Sequence, residues 1–443
     1  MSRHRGASSI PWKLVHYAHG KAMSQRVIPL DEPSSTLETR SDSTVPAALT
    51  RPRSMNTDSW ELPEELRQIQ DTVARFMSAE VKPAEDKLPH DAYELPADEL
   101  DRLQRKARDI GLWCVRSPEE YGGAGLSLLG QAVVAEEAAK CRMGAYVPAC
   151  GAFGADPPNA IWLGTKDQIE RFGVPGIRQG KKIYFAISEA SGGADPARSI
   201  RARAVRKGDK YLLNGSKMWI TGAKGADWGI VFARTGEQGD RGGITAFIVK
   251  GNPEGMSLKP IPVIRSYAPY EITFKDVEVP VEDRLGDEGQ GFAICETWLI
   301  EGRIPYAAGT LGVAQAALQI AIDWAKERET FRSKLADKQA IQWMVADSEM
   351  ELRAARLLTW QAAWIADLGR GDLKIASSIA KVTATETAGR VVDRAIQILG
   401  GLGVSQELPL ERWYRELRIK RIGEGPSEVH RMVLARHLLG SSR

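Results

Sequence analysis

The apolar residues of this chain change period twice, and that order restricts the fold more than any motif does. From Trp60 to about Ala160 they recur at helical spacing, as in Leu66, Ile69, Val73 and Phe76, with Pro63 where a first helical turn tolerates it. Between about Ile183 and Val279 they fall into short runs of β-branched and aromatic residues: Tyr211–Leu213, Met218–Thr221, Gly229–Ala233 and Ile244–Val249. Lys207-Gly208-Asp209 and Asn214-Gly215 read as hairpins between them. After Gly291 the helical period returns and holds almost to Leu439, in stripes such as Leu311, Ala314, Leu318 and Ile322 or Ile375, Ile379 and Val382. Breaks at 332–335, 369–371 and 400–403 divide this stretch into four long helices packed antiparallel. The expected class is α+β multidomain: an N-terminal helical domain over 55–182, a middle β-domain over 183–285 and a C-terminal four-helix bundle over 286–443.

Bulk properties exclude several functions. With 443 residues, 43% of them hydrophobic, the chain can bury two or three cores. Its net charge of +3, with both signs intermixed, gives no basic field for nucleic acid, so small or neutral partners are expected. The four cysteines form no CxxC pair and the six histidines no HExxH spacing; no metal is expected. No apolar run reaches the roughly 18 residues of a membrane span. Met1 to Leu30 contains no Asp or Glu but several Arg, Lys and Ser, the composition of a transit peptide. Asp31 to Arg53 is rich in Ser, Thr and Pro without periodicity, and Met55 directly precedes the first patterned segment. Residues 1–54 are therefore expected to be a disordered or non-native extension. The expected location is the bacterial cytoplasm, or the mitochondrial matrix if the extension is a genuine transit peptide.

Five features could carry chemistry. Ser188 to Asp195 combines hydroxyls with Gly192 and Gly193 at the end of an apolar run, so its backbone could approach a phosphate or planar ring, or form an ordinary turn. Trp219 and Thr221 share one strand face by period-two alternation and suit the edge of a ring, or a half-buried core. Arg328 and Phe331 end a helix and Gln339 opens the next; the arginine could bind a pyrophosphate or cap the helix. Gly400-Gly401-Leu402-Gly403 follows a helix, is no GxGxxG fingerprint, and suits a C-cap equally well. Glu424 stands between Gly423 and Gly425, ahead of the last helix.

Taken in order, these stretches resemble the acyl-CoA dehydrogenase family over roughly residues 60–440. The resemblance is carried by Phe185-Ala186-Ile187-Ser188-Glu189 with Gly193-Ala194-Asp195, then Asn214 to Thr221, Asp276-Val277-Glu278-Val279-Pro280, Gly289-Gln290-Gly291-Phe292, Arg328-Glu329-Thr330-Phe331, Gln397-Ile398-Leu399-Gly400-Gly401 and Tyr414-Arg415-Glu416. It implies that the middle domain is a β-barrel and that FAD lies between barrel and bundle. Ser188, Gly193, Trp219 and Thr221 would then hold the flavin, while Arg328, Phe331, Gln339, Gln397 and Gly401 would reach the FAD of a neighbouring subunit in a homotetramer, or at least a dimer. It further implies α,β-dehydrogenation of an acyl-CoA thioester to a trans-2-enoyl-CoA. Glu424 would be the general base, Arg303 would stand beside it, hydride would pass to flavin N5, and electrons would go on to an electron-transfer flavoprotein. Family members that place the base on the first bundle helix would have it at Gly302 here, which leaves Glu301 only in reserve. Ala194, Pro426 and Glu428 depart from the family pattern near the nucleotide, and the Gly425-to-His430 ending marks a branch whose substrate stays open. The alternatives are an acyl-CoA oxidase or enoyl-CoA reductase on the same fold, or a DNA-associated alkylation-response flavoprotein, for which the basic run Arg412 to Arg421 would be the contact surface.

Overall fold

The N-terminal spacing is realised in helix α1 (Glu64–Phe76), which turns Val73 and Phe76 inward and carries Glu64 and Glu65 at its positive end. Helices α2 (Ala97–Asp109) and α3 (Leu128–Ala138) follow, with a shorter helical stretch over 166–179 ahead of the sheet; α3 is capped by Ser127, whose Oγ accepts from the Gly130 N–H at 3.2 Å. In this computed structural model the described residues are 61–237, 241–265 and 267–440, and they belong to one compact unit; the 1–54 extension lies outside them.

Strands β1 (Ile183–Ala186), β2 (Arg203–Lys207), β3 (Lys210–Ile220), β4 (Trp228–Arg234), β5 (Ile244–Lys250), β6 (Met256–Pro260), β7 (Tyr270–Pro280) and β8 (Arg284–Leu285) form one sheet. Its order is β6-β7-β3-β2-β4-β5-β8, with β1 parallel beside β4. All of β4 is buried because both of its faces are covered. Val231 and Ala233 join Tyr211, Leu213 and Phe247 in the sheet's own core, while Ile230 and Phe232 pack with Ile161, Phe172, Ile294 and Cys295 from the flanking helical parts.

Lys207-Gly208-Asp209 does turn the chain between β2 and β3, with Gly208 at φ +64°. Asn214-Gly215 does not: it lies inside β3, where pairing with β7 slips between Leu213 and Gly215. Asn214 Nδ2 donates to Asp276 Oδ1 at 3.0 Å and the Asp276 N–H donates to Asn214 Oδ1 at 2.9 Å, so this bulge satisfies its own polar groups. The glycine serves a close approach, since a Cβ on Gly215 would lie 2.6 Å from Ala202 Cα. A second slip between Lys217 and Ile220 coincides with Trp219 at φ +66°, and β3 ends at Ile220. The alternation expected to put Trp219 and Thr221 on one face is therefore broken by a left-handed residue.

The C-terminal part contains three long helices, α4 (Gly291–Glu327), α5 (Gln339–Asp367) and α6 (Leu373–Leu399). Its fourth leg is a pair of short helices, α7 (Leu410–Lys420) and α8 (Ser427–Leu439), and Glu424 lies on the segment between them. Leu311, Ala314, Leu318, Leu352, Val391 and Trp413 build the bundle core, and α3 joins it through Ala132, packed with Ile304, Ala308, Ala362 and Ala380. The α3–α4 crossing is tight: a Cβ on Gly312 would fall 1.9 Å from the Glu136 carbonyl oxygen. Helix propensity alone favours alanine there by about 1 kcal/mol. Overpacking against backbone outweighs it, so Gly312→Ala should lose about 2 kcal/mol. Urea unfolding checks the sign, and a stabilised variant would show that the helices do not meet at this residue.

Candidate active site

Glu424 has φ +54°, a left-handed conformation that costs a non-glycine residue about 1 kcal/mol or more. Its neighbours are glycines for steric reasons. A Cβ on Gly423 would lie 2.8 Å from Tyr306 Oη, and one on Gly425, at φ +98°, would lie 2.9 Å from His430 Nε2. Three donors from three helices hold this segment by its carbonyls. Arg303 Nε on α4 donates to the Glu424 carbonyl at 3.2 Å, His430 Nε2 on α8 makes a 3.3 Å bond to the same oxygen, and Lys381 Nζ on α6 donates to the Gly425 and Arg421 carbonyls at 2.6 and 3.2 Å. With its backbone fixed, the side chain is left uncommitted: Glu424 Oε2 is shielded from solvent and has no hydrogen-bond partner.

Burial raises the Glu424 carboxyl above the usual carboxylate range, against the pull of Lys420, Arg303, Arg116 and Lys381. The same burial lowers the amines of Lys381 and Lys420 to about 8 and His430 to about 3, so the imidazole is neutral. Gly302 lies across from the carboxyl, where a Cβ would come within 3.8 Å of Oε2. Glu301 points elsewhere: its carboxylate accepts from Asn159 Nδ2.

The expected flavin-side residues gather on the sheet. Lys217 Nζ pairs with Glu189 Oε1 at 2.7 Å in full burial, and Glu189 also accepts from the Arg201 and Ala202 N–H groups at 2.7 and 3.1 Å, which ties down the loop after β1. Met218 N–H donates to the Ser188 carbonyl at 2.8 Å, so Ser188 lies beside the Trp219–Thr221 corner. A Cβ on Gly193 would lie 3.6 Å from Ser188 Oγ. Trp219 is left 53% exposed by its left-handed backbone, an indole presented rather than packed away.

The other expected cofactor residues lie elsewhere. Arg328 directly follows α4, twenty-five residues beyond Arg303, or about 37 Å at 1.5 Å per residue. Arg328, Thr330, Leu335, Gly400 and Gly401 line a groove of about 400 Å³. Phe331, at φ +50° and 96% exposed, tips the small hairpin of β9 (Glu329–Thr330) and β10 (Ser333–Lys334). Gln339 opens α5 and Gln397 lies in the last turn of α6, both exposed. An arginine, an open pair of glycines and a bare aromatic ring suit a nucleotide's phosphate and base.

Lys381, His430, Lys420, Tyr146, Tyr306 and Arg265 also surround Glu424 or Thr221, and sequence reasoning passed over them. Lys420 did leave a signal: Leu410, Trp413, Leu417 and Lys420 form one inward stripe of α7, and a lysine on such a stripe is buried. The run expected as a surface for DNA accordingly sends Arg412 and Lys420 inside, and Arg415 pairs with Glu411 and Asp91. The cysteines, scattered in sequence, are not all scattered in space: Cys141, Cys150 and Glu85 approach within 4.8 Å, where Glu85 is already engaged by the Arg142 N–H at 2.6 Å. Among the described residues no helix is long and apolar enough to cross a membrane.

A carboxylate with a buried, unbonded oxygen thus faces a glycine on the bundle, and the β-domain presents an indole and a hydroxyl at Trp219 and Thr221. The chain matches the acyl-CoA dehydrogenase N-terminal domain over residues 63–180, the middle domain over 184–277 and the C-terminal domain over 289–439. It is 37% identical over 398 residues to the human mitochondrial short-chain specific acyl-CoA dehydrogenase, covering 87% of this chain and 92% of that one. It is 36% identical over 351 residues to the caffeyl-CoA reductase-Etf complex subunit CarC of Acetobacterium woodii, covering 78% of this chain and 90% of that one. The solved butyryl-CoA dehydrogenase of Megasphaera elsdenii superimposes with a TM-score of 0.77 at 33% identity, covering 86% of this chain and 100% of that one. The chain belongs to the acyl-CoA dehydrogenase family, whose members are FAD-dependent oxidoreductases acting on acyl-CoA.

The raised Glu424 carboxyl makes stability depend on pH. Its unfolded value is near 4.5 and its folded value higher, so the folded state favours the protonated form and loses stability as pH rises through the folded value. Glu424→Gln mimics that protonated form. The variant should melt at a higher temperature than the parent at neutral pH, and the gap should close as pH falls towards 4.5. Paired melting curves across this range check it; a variant less stable at neutral pH would contradict the burial argument.

Proposed function

We propose that this enzyme removes the α-proton of an acyl-CoA thioester with Glu424 and yields the trans-2-enoyl-CoA. The observation that carries the reading is the buried, unpartnered Oε2 of a carboxylate whose backbone is clamped by Arg303, His430 and Lys381. An α-hydrogen beside a thioester is only weakly acidic, so its removal needs a positioned base of raised pKa and polar groups for the developing enolate. Burial supplies the first. For the second, the enolate oxygen is assigned to the Glu424 N–H, with Arg303 orienting the loop. Gly302, without a side chain, leaves the space opposite the carboxyl to the substrate. Bound FAD supplies the two-electron acceptor for the β-hydrogen.

In the same reading Ser188, Gly193, Trp219 and Thr221 hold the flavin end. The cluster of Arg328, Phe331, Gln339, Gln397 and Gly401 lies too far along α4 for that site and serves the FAD of a neighbouring subunit, which makes the working form a dimer at least, and a homotetramer by the family resemblance. An electron-transfer flavoprotein is the electron acceptor, a reading supported by the relative named for its Etf complex. That relative is also named a reductase, which favours one second reading: the same site run backwards, with Glu424 delivering the proton. The enzyme is assigned to the cytoplasm or the mitochondrial matrix.

Anaerobic mixing with a panel of acyl-CoAs tests the chemistry by loss of flavin colour. Glu424→Gln should keep FAD and thioester binding while slowing reduction by at least about 10³-fold. Reduction near the parent rate would move the base elsewhere, Glu301 first. Arg328→Ala should release FAD on dilution and shift sedimentation towards smaller species. Full FAD retention would separate Arg328 from the cofactor.

A further inference from the structure

Arg265 lies on the connection between β6 and β7, and all three parts of the chain hold it. Arg415 Nη1 on α7 donates to the Ile264 carbonyl at 3.1 Å, which anchors the connection to the bundle. The Tyr146 ring, from the N-terminal part, stacks 3.9 Å from the guanidinium, and the Tyr267 ring lies 5.4 Å away on the connection itself. So placed, Arg265 is 5% exposed and donates through Nη2 to Thr221 Oγ1 at 3.2 Å.

A guanidinium only donates, whereas a hydroxyl has one hydrogen and two lone pairs. Arg265 occupies one lone pair, so the Thr221 hydrogen points away from the arginine. Among the described residues no acceptor meets that hydrogen, and Thr221 is exposed. A hydroxyl that accepts from a cation is polarised and donates more strongly to the next group. The charge itself is left uncancelled. Arg265 Nε and Nη1 have no hydrogen-bond partner, and the threonine bonded to Nη2 is neutral. Buried guanidinium N–H groups of this kind are costly, and native interiors rarely keep them without a use.

From this arrangement we infer that Arg265 is a positioning residue for the flavin: through Thr221 it aims a strengthened donor at the ring, and its charge raises the ring's reduction potential. The inference rests on the reading above, in which Thr221 holds the flavin end, and adds the residue that stands behind it. In that reaction the β-hydrogen leaves the substrate with its electron pair while the α-proton goes to Glu424. The ring therefore gains one hydrogen, two electrons and one negative charge. A cation fixed in a buried site favours that charged product over the neutral oxidised ring.

The test measures the two-electron reduction potential of the flavin in the holoenzyme, by photoreduction against a reference dye with no thioester present. FAD content is checked first by visible absorbance. The parent, Arg265→Gln, Arg265→Lys, Thr221→Val and the Thr221→Val, Arg265→Gln double variant are compared with free FAD in the same buffer. The parent should lie above free FAD, a result that needs no variant to fold. Arg265→Gln, which keeps an amide donor and removes the charge, should lower the potential by about 30 mV or more, a tenfold change in the ratio of reduced to oxidised flavin. Arg265→Lys, which keeps the charge, should recover most of that loss. Thr221→Val should also lower the potential, and Arg265→Gln should cost less on top of it than in the parent. A parent at or below free FAD, or an Arg265→Gln potential equal to that of the parent, overturns the inference. Potentials that fall as expected, with no acyl-CoA able to bleach the parent's flavin, keep the inference and overturn the dehydrogenase reading instead.

Discussion

The rest of the site depends on how Arg421 to Pro426 is held. A left-handed glutamate between two glycines has no intrinsic reason to stay in one conformation. It stays because Arg303, His430 and Lys381, from three different helices, occupy its carbonyls, and because Tyr306 and His430 fill the volume that side chains at 423 and 425 would need. Fixing the backbone through carbonyls spares the carboxyl. Oε2 is thereby both buried and unbonded, a costly condition anywhere that it is not used.

Two elements serve more than one core, which is why the described residues behave as one unit. β4 is buried on both faces, with its even and odd residues in different cores. α4 touches the sheet through Ile294 and Cys295, α3 through Ile304 and Ala308, and the Glu424 segment through Arg303. A shift of α4 would disturb all three contacts together. The tight approach at Gly312 fixes the height of that helix, and with it the position of Arg303 against the Glu424 carbonyl.

Much of the architecture was legible in the sequence because the period of apolar residues is a local property. The helices, most strands and the Lys207–Asp209 turn follow from it. What was misread followed from long-range causes. Asn214-Gly215 has hairpin composition, yet its glycine answers to Ala202 and its asparagine to Asp276, neither visible from neighbouring residues. Trp219 was placed by alternation, and a bulge removed the alternation. The basic run 412–421 counted as surface charge, although the stripe of Leu410, Trp413 and Leu417 already marked the inner face on which Lys420 lies.

The sequence by itself determined that a helical part, a β part and a bundle follow one another, and that one carboxylate near the end stands between two residues lacking side chains. Only the tertiary structure decided what that carboxylate faces. Its surrounding charge comes from Lys420, Arg303, Arg116 and Lys381, contributed by the N-terminal and C-terminal parts of the chain. A pKa is a sum over neighbours in space, and no local pattern of residues records those neighbours.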